Sequence, residues 1–204
     1  MSARGPKWNV ARPKWSRFRQ HAPSCLLVHR RKLVFRMAEK GASAKIELTE
    51  AKLATDMSAV RELFIEYAKW LGFSLAYQNF QGELASLPGK YANPRGRLLL
   101  ARVDGEAAGC GAMRPLDDST CEMKRLFVRP SFRGLGLGRK IAEELIASAR
   151  EVGYDAMRLD TLPDKMGEAV RMYWSLGFYE ISAYYANAPA GTVYFETRLD
   201  RPRT

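Results

Sequence analysis

The chain has 204 residues, 47% apolar and 27% charged, a globular balance that allows a sizeable core in one domain plus an extension. No apolar run approaches the ~18 residues of a membrane helix. Three cysteines without paired spacing (Cys25, Cys110, Cys121) argue against a disulfide framework or zinc site, so a reducing, cytoplasmic setting without metal is expected.

The net charge of +11 is unevenly spread. Ten of the 33 basic residues and no acidic residue lie in 1–36, leaving 23 basic against 22 acidic residues in the rest. Attraction to nucleic acid or anionic lipid therefore belongs to the extension alone. Pro6, Pro13 and Pro23 interrupt it, and it carries no sustained helical or strand period, so residues 1–43 are expected to form a disordered basic extension ahead of a domain spanning 44–204. Three readings of 1–36 stay open. It can be an arm whose arginines, Trp8, Trp15 and Phe18 meet a nucleic acid. It can be an acid-free transit peptide. Or translation begins at Met37.

From Ala44 the chain gives structure signals. Ala44–Leu48 is a short strand. Thr55 and Asp56 are placed to cap a helix with apolar positions Val60, Leu63, Phe64, Tyr67, Ala68 and Leu71, which Gly72 stops. A second helix covers Asn79–Leu87. Arg97–Val103 is a strand, and Asp104-Gly105 turns it into Glu106–Arg114. Thr120–Val128 completes an antiparallel meander. A helical stripe then runs from Leu137 to Val152, closed by Gly153. Strand Tyr154–Asp160, helix Asp164–Leu176 and strands Phe178–Ala183 and Thr192–Leu199 follow. Strand, helix and strand across 120–160 form a βαβ unit, so Thr120–Val128 and Tyr154–Asp160 should run parallel. The expected fold is α/β: a mixed, mostly antiparallel sheet with helices on both faces.

The segment Val128-Arg-Pro-Ser-Phe-Arg-Gly-Leu-Gly-Leu-Gly-Arg139 leaves a strand and enters a helix. Gly134, Gly136 and Gly138 let the backbone turn its N–H groups toward one point, and the helix adds unpaired amides and the positive end of its dipole. Arg133 and Arg139 flank this cradle for a pyrophosphate. A dinucleotide fingerprint counted from Gly134 would need glycine at Arg139, and a P-loop would need Ser or Thr where Lys140 stands.

Arg133-Gly-Leu-Gly136-Leu-Gly138 resembles the R/Q-x-x-G-x-G/A loop of the GNAT superfamily of N-acetyltransferases. Ala169-Val-Arg-Met-Tyr173-Trp-Ser-Leu-Gly177-Phe178 is similar to that superfamily's A-x-x-x-Y-x-x-L-G-F segment. The resemblance covers the body and not the extension. It implies acetyl-coenzyme A as co-substrate, with its diphosphate on the loop and its pantetheine arm in a slot between two splayed parallel strands. The backbone of Leu126, Phe127 and Val128 would pair with that arm like an added strand. Met166 stands where many members carry asparagine.

Acetyl transfer to an amine needs a proton acceptor, because a lysine-like amine has a pKa of about 10. Glu122, on the strand before the loop, is the candidate base, and its spacing resembles the glutamate of the histone-acetyltransferase branch; pairing with Lys124 or Arg114 is the alternative. Strand alternation puts Glu122, Lys124 and Leu126 on one face and Cys121, Met123 and Arg125 on the other. A backbone amide near Leu126, where the family has a bulge, would meet the oxyanion. Tyr173 is the candidate acid for the leaving thiolate, against a purely packing role. Trp70, Phe73, Tyr77, Phe80, Tyr184 and Tyr185 are candidate walls of the acceptor pocket. The acceptor is open among small amines, amino acids, antibiotics and protein lysines. A homodimer through the closing strands is conceivable. The competing reading is a non-catalytic acyl-CoA-binding module whose basic arm grips nucleic acid.

Overall fold

The computed structural model describes residues 32–37 and 44–199. Residues 1–31, 38–43 and 200–204 lie outside the described part, and with them most of the extension expected to be disordered. Its segment Lys32–Met37, however, is a strand, β1. It pairs antiparallel with β2 (Ala44–Glu50), a long-range pairing that the composition of the extension does not announce.

Helix α1 spans Ala54–Leu71, one turn earlier than the expected caps. Thr55 and Asp56 lie inside the helix, and Leu53 holds the cap position. Asp56 Oδ2 reaches back to accept from the amides of Lys52 and Leu53, both at 3.1 Å, while Arg102 donates to Oδ1 at 3.0 Å. A carboxylate at the third helical position thus satisfies the amides of the cap residue and of the residue before it, the backward half of a capping box. Gly72 ends α1 with φ +73°, as its position suggested. The second helix, α2, is shorter than expected, Phe80–Ala85. Asn79 enters it in the left-handed region, and the Ser86 hydroxyl closes it by donating to the Gly82 carbonyl at 2.8 Å.

Strands β3 (Arg97–Val103) and β4 (Glu106–Pro115) are joined by Asp104-Gly105, both with positive φ, the backbone of a type I′ turn. Strand β5 (Thr120–Val128) and helix α3 (Leu137–Val152) fall where the periodicity puts them. Then come β6 (Ala156–Thr161), α4 (Pro163–Ser175), β7 (Tyr179–Ile181) and β8 (Val193–Arg198). The eight strands form one sheet in the order β1-β2-β3-β4-β5-β6-β8-β7, in which, among the described residues, only β5 and β6 pair in parallel.

Two apolar layers sandwich this sheet. Leu98 and Leu100 of β3 point with Cys110, Ala112 and Phe127 toward Val60, Leu63 and Phe64 of α1. Leu99 and Ala101 point the other way, with Met113, Cys121 and Met123, onto Ile141, Leu145 and Ala149 of α3 and Tyr173 of α4. A strand buried on both sides reads as the unbroken apolar run Leu98–Ala101. Gly111 is where α3 lies closest to the sheet, since a Cβ there would overlap the Cγ2 methyl of Ile141.

Candidate active site

The parallel ladder between β5 and β6 is short. It pairs Thr120 with Ala156, Cys121 with Met157 and Glu122 with Arg158, and stops there although both strands continue. Beyond it the strands part around a slot. Lys124, Arg125 and Leu126 form one bank, and Asp160, Thr161 and Leu162 the other, with Tyr67, Met166 and Tyr173 also lining it. The splay expected between these strands is therefore present.

At the slot, β5 also changes face. The β4–β5 register slips by one residue between Cys110 and Ala112, and Arg125 adopts φ +57°. This is a β-bulge, in which two residues oppose one and the alternation resets. Its effect corrects the simple face assignment made from strand period. Lys124 and Arg125 share the α1 side, whereas Leu126 turns to the α3 side with Cys121 and Met123. A left-handed arginine costs roughly 1–2 kcal/mol, so something must hold it. Arg125 is 5% exposed and donates to Glu83 of α2 from Nε (2.9 Å) and Nη2 (2.6 Å). Its guanidinium also lies 5.3 Å from the ring centre of Phe80, and Tyr91 donates to the same carboxylate at 2.6 Å. Burial alone would raise the Glu83 pKa; the Arg125 hydrogen bonds and charge hold it below the usual glutamate value.

The glycine loop opens at the mouth of the slot. After Val128 a single tight turn, Pro130–Phe132, leads into α3 through Gly134 (φ +82°) and Gly136 (φ +70°). No side chain caps α3, and its first turn carries no acid. The amides of Gly134 through Arg139 have no hydrogen-bond acceptor among the described residues, which leaves them for solvent or a ligand. A Cβ at Gly134 or Gly136 would meet nothing, and one at Gly138 only a Val128 methyl at 3.9 Å. Gly138 has no positive φ either, so nothing in the chain's own packing demands glycine there. The open space is what an anion lying on those amides would occupy. Arg133 stacks over Trp70, 5.2 Å from its ring centre, and Arg139 donates to Glu143 at 3.4 Å and to Ser175. Both are exposed.

Tyr173 is packed in the core, with its ring against Phe178 (5.6 Å between centres), and also borders the slot. Its hydroxyl has no hydrogen-bond partner among the described residues, and burial pushes its pKa upward, so the phenol keeps its proton.

On the far side of the bulge lies a second cavity of about 230 Å³, lined by Glu83, Tyr91, Arg114, Glu122, Lys124, Arg125, Tyr184 and Tyr185 among others. Lys124 and Arg125 line both spaces, so the bulge separates slot from cavity. Glu122 is completely buried, and its carboxylate is engaged on both oxygens. Arg114 donates to Oε2 from Nε and lies within 2.7 Å of it through Nη2 as well. Tyr184 donates to Oε1 at 2.7 Å, and Lys124 stands 3.7 Å away. The pairing alternative for Glu122 is thus present in the geometry; the residue borders the cavity, but its side chain has no exposed surface of its own. Lys124 also donates to Asp160 at 2.8 Å; burial opposes ionisation of Asp160, but that ammonium keeps its pKa low.

Of the other sequence candidates, Tyr184 and Tyr185 line the cavity and Phe73 the slot. Trp70 belongs beside Arg133 at the loop instead, and Phe80 is buried under Arg125. The side chain of Tyr77 lies outside the described part. Sequence reading missed Glu83, Tyr91 and Asp160. Glu83 and Tyr91 come from the short helical turns between α1 and β3, and no spacing rule links them to residues over thirty positions away.

The Acetyltransferase (GNAT) family matches residues 57–178. An uncharacterized N-acetyltransferase of Schizosaccharomyces pombe is 39% identical over 78% of this chain and 98% of its own length. Among solved structures, a GNAT-family acetyltransferase from Staphylococcus aureus shares the fold, with TM-score 0.64 and 21% identity over 76% of this chain and 99% of that one. A Salmonella typhimurium protein solved with its cofactor acetyl-CoA superposes with TM-score 0.56 and 20% identity, over 78% of this chain and 96% of its own.

Proposed function

The chain belongs to the acetyltransferase (GNAT) family and is an acyltransferase, and from that premise we propose that it moves the acetyl group of acetyl-coenzyme A directly onto a primary amine. Family membership displaces the reading of a non-catalytic module. The observation that carries the proposal is the set of amides from Gly134 to Arg139 without an acceptor among the described residues, at the mouth of a slot left by two parting strands. Amides and helix dipole suit a diphosphate, with Arg133 and Arg139 adding charge at its edges. The unpaired edge of β5 at Leu126, Phe127 and Val128 suits an amide-bearing arm laid alongside it.

The co-substrate supplies a thioester-activated acetyl group. Everything else falls to the chain. An amide of the bulge near Leu126 donates to the acetyl oxygen as negative charge grows there, a contribution typically worth roughly 3–4 kcal/mol. Glu122, reached through the Tyr184 hydroxyl, takes the proton released as the amine nitrogen bonds to the acetyl carbon. Tyr173 gives its proton to the sulfur whose bond to that carbon breaks, and solvent exchange restores both groups. Cys110 and Cys121 are buried, with thiol pKa values pushed up mainly by burial, which suits direct transfer without an acetylated cysteine.

Gly138→Ala tests the cradle without touching the fold. Alanine gains up to about 1 kcal/mol of helix propensity over glycine and meets only a methyl. We expect an unchanged or raised melting temperature and at least ~10-fold weaker coenzyme A binding by calorimetry. Unaltered affinity would remove the loop from the binding site.

A further inference from the structure

Resting on the acyl-transfer reading, we propose that the acceptor is a small amine that carries a carboxylate next to the amino group, and that Arg114 receives that carboxylate. The cavity beyond the bulge is lined by three cations, Arg114, Lys124 and Arg125, and by two carboxylates, Glu83 and Glu122, while Asp160 pairs with Lys124 from the slot side. The charges around it balance; its hydrogen-bonding capacity does not. Glu83 accepts on both oxygens from Arg125 and additionally from Tyr91. Glu122 accepts on one oxygen from Arg114 and on the other from Tyr184, with Lys124 nearby. The acids are committed.

Donors remain. Arg114 directs Nε and Nη2 at a single oxygen of Glu122, and its Nη1 has no partner among the described residues. Its side chain is 30% exposed, on the cavity wall. A guanidinium presents five N–H donors in a planar fork suited to carboxylates. Lys124 has three donors and one close partner, Asp160. A ligand that brings only donors, such as a polyamine, finds no free acceptor here. A carboxylate-bearing amine supplies the missing acceptor. The enclosing Tyr184–Tyr185 pair, with ring centres 5.3 Å apart, fits a small molecule better than a protein surface.

The test uses the full chain with saturating acetyl-CoA and acceptor pairs differing only in a carboxylate: phenylalanine against phenethylamine, and alanine against ethylamine. Release of free thiol should show kcat/KM at least ~100-fold higher for the carboxylated member of a pair, since a site built for a polar group strongly rejects the analogue lacking it. That ratio should shrink toward one in Arg114→Gln and recover in part in Arg114→Lys. Being a ratio within one protein, it is insensitive to a general loss of active enzyme. Equal or faster turnover of the plain amines overturns the proposal. If no pair is turned over, calorimetry on the coenzyme A-saturated chain decides. Binding of the carboxylated members alone supports the proposal, and binding of none overturns it while leaving the cofactor reading intact. A chain that binds no coenzyme A overturns both.

Discussion

Tyr173 combines packing with a place on the wall of the slot, and one atom separates the two roles. Tyr173→Phe keeps the ring and its contacts with Phe178 and Phe195, so the melting temperature should stay within about 2 °C of the parent. Loss of a positioned acid should lower kcat roughly 100-fold, which steady-state thiol release would reveal. Burial raises the Tyr173 pKa above the ordinary tyrosine value of 10.0, so the acid form persists through that pH. The alkaline limb of kcat should accordingly start above pH 10 if Tyr173 is the acid. Arg125 presents the converse case, a strained residue held by its side chain. Glu83→Gln weakens the pair that anchors it and leaves a buried guanidinium short of a charge; we expect a loss on the order of 3 kcal/mol in chemical denaturation. A kcat reduced well beyond any loss of folded protein would tie this anchor to the geometry of the bulge. An unchanged denaturation midpoint would show that the bulge stands without it.

Helix α3 is the element on which both apolar packing and the phosphate cradle depend. Its apolar stripe, Leu137 to Ala149, sits against β4 and β5, and its N-terminus opens at the slot. Gly111→Ala would force a methyl into Ile141 and push α3 from the sheet. Overpacking of this kind costs about 1–3 kcal/mol, so a melting temperature lowered by several degrees is expected, together with weaker coenzyme A binding as the loop shifts. A stable variant with full affinity would mean that α3 moves without dragging the cradle. Elements such as α3 and β5 were readable because their signals are local: a 3.6-residue stripe, a closing Gly153, an Asp-Gly turn upstream. The extent of α1 was misjudged because Asp56 acts backward from inside the helix. The strand β1 gave no signal because an edge strand in a basic, proline-interrupted stretch is stabilised by its partner β2, not by its own pattern.

Across the whole molecule, buried carboxylates set the response to acid. Asp56, Glu83, Asp160 and Glu196 are each subject to a burial effect that would raise the pKa, and in each the hydrogen bonds and cations prevail and lower it. The folded chain therefore holds fewer protons than the unfolded chain near and below the ordinary values of 3.8 and 4.5. Stability from these groups is complete above about pH 5 and is lost as pH falls through the depressed folded values. Melting temperatures should be level in this respect from pH 7 to 5 and fall steeply below about pH 4; a decline that began near pH 6 would point to other groups. The sequence by itself determined the class of the sheet, the parallel crossover, the glycine-rich entry to α3 and the place of Tyr173 on α4. Each of those is written in residues a few positions apart, where backbone conformation and periodicity act. Only the tertiary structure decided that β5 bulges at Arg125, and that Glu122 meets Arg114 and Tyr184. It alone also brought Glu83 and Tyr91 from the short helical turns after α1 to Arg125 at the bulge. These are contacts between residues up to 62 positions apart, set by strand register and by the packing of α2, and no local rule encodes either.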